Sequence, residues 1–214
     1  MIEQGEATIN IGTRLTSQGA LSHLKTLDDV VTDYLKRFDF TVARGPHGVD
    51  HHDGVVDHCL TSRDLSQCIE RAVDSRLASG KMFSENSCIA AKAKQELAAH
   101  LLQVQDRFKQ CKTFEDVYDV VSARQISGIG LLMKYCVTSR VAAYLGIHPK
   151  DYLYLHAGPA KGWKALTGKR ADYRMPVASL PKALRRLSAH RIEDLFCEYR
   201  EALRPEMMRA EEDN

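Results

Sequence analysis

The stretch Ile126-Ser127-Gly128-Ile129-Gly130-Leu131-Leu132-Met133-Lys134-Tyr135-Cys136-Val137-Thr138-Ser139-Arg140-Val141-Ala142-Ala143-Tyr144-Leu145-Gly146 decides how this chain reads. Two glycines one residue apart make a tight turn. The largely apolar run behind them predicts a helix over 131–145, stopped by Gly146 in a left-handed cap. A helix opening on such a turn leaves its first backbone N–H groups unpaired, and its dipole draws an anion such as a DNA phosphate to that end. Asp151 follows Gly130 by 21 residues, just past the helix, where an acid can face a bound strand. After Pro149 the same side chain could equally cap a short helix.

Upstream, Thr113-Phe114-Glu115-Asp116 predicts a helix start with an acid at the capping-box position, carrying Phe114, Val117, Val120 and Val121 into a core. Two helices therefore flank the glycine turn, and the hairpin spans 113–146.

This pattern resembles the helix-hairpin-helix DNA glycosylases, whose signature is an apolar-x-Gly-apolar-Gly hairpin followed about twenty residues later by a catalytic aspartate. The match covers residues 113–156. The resemblance implies that Gly128, Ile129 and Gly130 grip phosphate, that Asp151 is the catalytic acid, and that residues 152–163 shape the base pocket. Strand-cleaving members carry a lysine two residues after the second glycine, where this chain has Leu132, so the resemblance implies a monofunctional enzyme that leaves an abasic site. The same hairpin also serves other proteins as a sequence-neutral phosphate grip without catalysis, and that alternative stays open.

Charge is distributed in keeping with a polyanionic partner. The net value is only +2 over 214 residues, yet residues 1–123 hold 14 Lys+Arg against 18 Asp+Glu (−4) and residues 124–204 hold 15 against 6 (+9), while 205–214 return −3. The basic section is the one that contains the hairpin, and such a face supplies sequence-independent affinity by releasing counterions from DNA. The same residues could also be an ordinary solvated surface. Lys134 and Lys161 are candidate phosphate partners. A content of 44% hydrophobic and 27% charged residues fits a globular chain. No apolar run approaches the ~18–20 residues of a membrane span and no secretory leader is evident, so a cytoplasmic monomer without a membrane partner is expected. Six dispersed cysteines without a Cys-x-x-Cys pair point to reduced, mostly buried thiols. Only Cys197 follows Asp151, so the iron–sulfur loop of some glycosylases is missing and no cofactor is expected.

The remaining pattern reads as helices. Residues 1–24 are polar and read as loosely attached. Thr26 or Asp28 caps a helix through Phe38, and Ser62 or Asp64 starts one ended by Ser79-Gly80. An Ala-rich helix runs from Ser87 to Lys109, a short helix covers 161–166, residues 167–176 read as loop, Ser179 begins a short helix to Leu187, and Ser188 caps a last one through Leu203. No segment alternates strictly enough to predict a strand. The expected fold is all-α and multi-helical, with one domain over 25–204 containing the helix-hairpin-helix and an acidic tail over 205–214.

Cleaving an N-glycosidic bond passes through a cation-like sugar, so it calls for a carboxylate near C1′ and a pocket for the extruded base. Asp151 is the candidate carboxylate. His156 is the candidate acid, hydrogen-bond donor or phosphate contact, and Tyr152, Tyr154 and Trp163 are candidate pocket walls, although aromatics near a core helix commonly serve packing. A second constellation lies in the loop 44–58, where His47, His51, His52, Asp53 and His58 could ligate a divalent metal, and Val49-Asp50-His51-His52 looks like the DHH phosphoesterase signature. That family builds its site on a parallel sheet with further acidic motifs, which this sequence lacks. A base excised from DNA in repair, or in defence against modified foreign DNA, is the expected function. The spacing does not say which base.

Overall fold

A computed structural model of the chain describes residue 21 and residues 23–37 and 54–208. The other residues include His47, His51, His52 and Asp53 of the histidine loop, the first twenty residues and the end of the acidic tail. The expectations for these fall outside the described residues, as does Phe38 as a helix end.

The described residues are mostly helical. Eight α-helices are α1 (Leu27–Arg37), α2 (Gly54–Leu60), α3 (Leu65–Asp74), α4 (Ala91–Gln103), α5 (Phe114–Ser122), α6 (Leu131–Tyr144), α7 (Ala157–Thr167) and α8 (Ala189–Glu198). The starts of α1, α3, α5 and α8 follow from side-chain oxygens that replace missing helix bonds. Thr113 Oγ1 accepts from Asp116 N (3.1 Å) while Asp116 Oδ2 accepts from the Lys112 and Thr113 amides (2.9 Å each), a capping box. Thr26 and Asp29 repeat the arrangement at α1, and Asp64 and Ser188 cap α3 and α8. At the other end of α6, Gly146 adopts φ +71, its N–H reaches Ala143 O (3.0 Å), and Ile147 N–H reaches Ala142 O (2.8 Å). That pair of bonds is a Schellman closure, which glycine permits because it has no Cβ to clash.

Several expected boundaries are corrected. The helix expected to end at Ser79-Gly80 stops at Asp74, where Ser75 turns left-handed (φ 63), and the helix expected from Ser87 begins at Ala91. Part of the histidine loop is helical as α2. The short helix expected over 161–166 starts earlier and becomes α7, and the helix expected from Ser179 is two 3-10 turns. Residues 167–176, expected as loop, include a short strand. Tyr152–Tyr154 (β1) and Arg174–Pro176 (β2) pair antiparallel, with Tyr152 opposite Pro176 and Tyr154 opposite Arg174.

Two buried clusters form the interior. The first gathers α2–α6 around Ile69, Leu97, Phe114, Val137 and Tyr154; the second gathers α1, α7, α8 and the C-terminal residues around Val30, Leu166, Phe196 and Tyr199. β1 lies between them, because alternate residues of a strand point to opposite faces: Tyr152 and Tyr154 join the first cluster, Leu153 and Leu155 the second. Leu21, Leu24 and Met207 are buried in the second cluster, so the edges of the N-terminal and C-terminal segments pack onto the protein. α6 is the central helix, buried on nearly every side. It even encloses Arg140, whose Nη1 donates to Ala72 O (2.8 Å) and Ser75 Oγ (2.7 Å) at the end of α3, a favourable position for a cation. Gly162 lets α7 approach α8, since a Cβ there would meet the Phe196 carbonyl and come within 2.7 Å of Phe196 Cβ.

Candidate active site

α5 and α6 pack against one another and are joined by residues 123–130. Ile129 N–H donates to Ile126 O (3.1 Å), closing a turn whose third residue, Gly128, has φ +83. That conformation favours glycine at this position. Ile126 and Ile129 anchor the turn in the core, leaving Ser127, Gly128 and Gly130 exposed. Gly130 is the N-cap of α6 and has no side chain to cap it, and a Cβ built on it would meet nothing within 4 Å. The first N–H groups of α6 therefore face an open approach. Leu131 beside them is 49% exposed, the one exposed large hydrophobic among the described residues. Leu132 is half-buried.

The β1–β2 ribbon reaches this turn through Tyr173. Its hydroxyl donates to Leu131 O (3.3 Å), and its own carbonyl accepts from Leu155 N (2.7 Å). At the other end of the ribbon Asp151 O accepts from Val177 N (2.8 Å), which fixes the backbone of the acid while its side chain stands exposed. Asp151 does not cap α7; the N-cap of that helix is His156.

Between turn and ribbon lies a run of rings. Tyr118 of α5 packs on Tyr154 (centroids 5.1 Å apart) and Tyr173 (5.9 Å), Tyr154 packs on Tyr135 of α6 (5.5 Å), and Tyr135 packs on His156 (5.3 Å). The outer rings Tyr118 and Tyr173 are half-buried, and the inner Tyr135 and Tyr154 are buried. Burial, aided by nearby Glu115, pushes the Tyr154 phenol above its ordinary range; its hydroxyl donates to Glu115 Oε1 (3.1 Å). Burial raises Tyr173 as well, together with its neighbour Tyr118. Arg174 lies over the Tyr152 ring, 4.6 Å from its centroid. At the inner end His156 Nε2 pairs with Glu193 Oε1, and the Tyr135 hydroxyl sits 3.3 Å from His190 Nδ1. Burial and the adjoining Glu193 charge hold Tyr135 well above the usual phenol value.

The expected site residues thus separate. Tyr154 and His156 belong to the ring cluster beside the glycine turn, and Tyr152 packs against the same core under Arg174. Trp163 does neither: it packs edge-on against Phe196 (6.1 Å) in the second cluster. Lys161 lies on the opposite rim of α7, in an open surface cleft with Ala165, Arg200 and Glu201. Lys134 is buried, its Nζ 3.4 Å from Gln125 Oε1, so its charge supports the connecting loop. His58 sits half-buried on α2, where burial and then Arg71 hold its imidazole below the ordinary value. Among the described residues no group of His, Cys, Asp and Glu is arranged to hold a metal ion, and no helix is long and apolar enough to cross a membrane. Sequence reasoning missed Tyr118, Tyr135, Tyr173, His190 and Glu193. His190 and Glu193 carried a usable signal, the i,i+3 spacing that places both on one face of α8.

The chain matches no family model, no curated protein and no solved structure.

Proposed function

We propose that this protein binds the DNA backbone at the 126–130 turn and hydrolyses the bond between a damaged or modified base and deoxyribose, leaving an abasic site. The observation that carries the reading is the uncapped, sterically open start of α6 at Gly130, with an aromatic wall tied to its first turn through Tyr173. A phosphate at the N-terminus of a helix is bound by backbone donors that need no particular base, which suits an enzyme that must scan DNA. The basic balance of residues 124–204 favours the same partner. In the wall, the half-buried outer rings Tyr118 and Tyr173 offer π-faces to an extruded base, and the neighbouring hydroxyls and carboxylates offer donors and acceptors for its edge.

In this reading Gly128, Ile129 and Gly130 hold the strand, Asp151 stabilises the cation-like sugar or activates water, Tyr118, Tyr152, Tyr154 and Tyr173 frame the base, and His156 serves the departing base. The resemblance to helix-hairpin-helix glycosylases supports the assignment of Asp151. Leu132 supplies no amine for a Schiff base, so the strand stays intact until alkali or heat breaks it. The decisive experiment incubates the protein with normal, alkylated, deaminated and virally modified DNA and measures free base and alkali-labile sites. Free base from at least one DNA is expected. Tight DNA binding with no base released from any of them would establish the non-catalytic alternative, and activity abolished by a chelator would move the chemistry to the histidine loop.

A further inference from the structure

Glu193 is the buried charge of this site that the proposed reaction has not yet used. It projects from α8 with 7% of its surface exposed and gives Oε1 to His156 Nε2. Oε2 is buried, with His190 Nδ1 3.8 Å away and the Tyr135 phenol beside the carboxylate. Tyr135 from α6 and Tyr173 beside the ribbon also feel this carboxylate. A carboxylate is costly to bury unless it is paired, and here the pairing has a chemical consequence. An ionised carboxylate only accepts hydrogen bonds. A neutral His156 facing it must therefore carry its proton on Nε2, which leaves Nδ1 as the free lone pair; protonated His156 presents Nδ1–H as a donor.

We propose that Glu193 is a positioning residue for His156, holding the ring as the Nε2–H tautomer and stabilising its imidazolium, so that Nδ1–H protonates the base as it leaves. The inference rests on the base-excision reading. In the step, the bond from base nitrogen to C1′ breaks with its electron pair passing to the base, and the Nδ1 proton neutralises that base. Water then adds its hydroxyl to C1′ and passes its proton to Asp151, which releases it to solvent. His156 then regains the proton on Nδ1 from solvent, Nε2–H staying on Glu193 throughout. The products are a neutral base and an abasic sugar, and no other reactant is consumed.

Two measurements test this on the full chain. In nitrogen-resolved NMR of the wild type, the uncharged His156 ring is expected as the single Nε2–H tautomer; in Glu193→Gln, whose amide can donate or accept, that preference is expected to weaken. With whichever DNA the wild type cleaves, Glu193→Gln and His156→Ala are each expected to lower the single-turnover rate about 100-fold with unchanged DNA affinity. The double variant is expected to lose little more, because the two groups act as one device. A wild-type Nδ1–H tautomer, or a Glu193→Gln protein that releases base at the wild-type rate, overturns the proposal while leaving base excision standing. A wild type that releases no base from any DNA sinks the base-excision reading and this inference with it. If the variants do not fold, the wild-type tautomer decides alone.

Discussion

Asp151 and Gly130 are the residues on which the proposed chemistry and the proposed grip depend, and their surroundings make them clean targets. The Asp151 side chain is exposed and its structural bond is made by the backbone carbonyl, so Asp151→Asn is expected to leave the fold intact. Base release should fall by a few hundred-fold or more, about 3–4 kcal/mol, as the loss of a charge facing a cationic transition state produces, while DNA binding persists. A folded Asp151→Asn protein with near-normal base release would place the acid elsewhere. The two glycines of the turn separate equally well. Gly128 has φ +83, so a larger residue there strains the backbone and confounds folding with binding. Gly130 has an ordinary φ of −86 and empty space around it. Gly130→Val is therefore expected to fold normally yet bind DNA at least tenfold more weakly in a fluorescence titration, because its side chain occupies the phosphate approach. Undiminished affinity would remove the turn as the grip.

At the scale of the element, close contacts and caps decide stability. Gly162→Ala improves helix propensity by about 1 kcal/mol, but its Cβ meets the backbone of Phe196, which cannot swing aside as a side-chain tip can. The clash wins: α7 and α8 must separate, and denaturant melts should show a net loss of about 1–3 kcal/mol. The capping boxes give a pH signature. Backbone N–H groups of Lys25 and Thr26 hold Asp29 below the usual carboxyl value, and those of Lys112 and Thr113 do the same for Asp116. A depressed folded-state pKa means stability that is fully present above the unfolded value of about 3.9 and is lost as the pH falls through the folded value. Thermal melts between pH 5 and 2 should therefore show a shallower acid loss in Asp29→Asn/Asp116→Asn than in the wild type; identical slopes would mean that these caps do not couple to folding. The caps were legible in the sequence because all their partners lie within four residues. The β1–β2 ribbon was not, since three-residue strands hold too little alternation to detect and their partner lies beyond α7.

For the whole molecule, the uneven charge predicts behaviour that no single residue governs. Affinity for DNA should fall steeply and log-linearly with salt, and a salt-independent binding curve would argue against backbone recognition by the basic section. The architecture around that section was legible only in part. Helical class, the capping box at Thr113, the glycine turn and the stop at Gly146 were determined by the sequence alone, because each depends on backbone sterics and hydrogen bonds between near neighbours. Which side chains meet was decided by tertiary structure. His156 and Glu193 are 37 residues apart, and the ring cluster draws on α5, α6, β1 and the segment leading into β2. Trp163 shares the sequence neighbourhood of Tyr154, yet α7 carries it into the other core. Local periodicity says which face of an element is buried. It does not say against what, because that is set by how α6, the ribbon and α8 pack, and there the site is assembled.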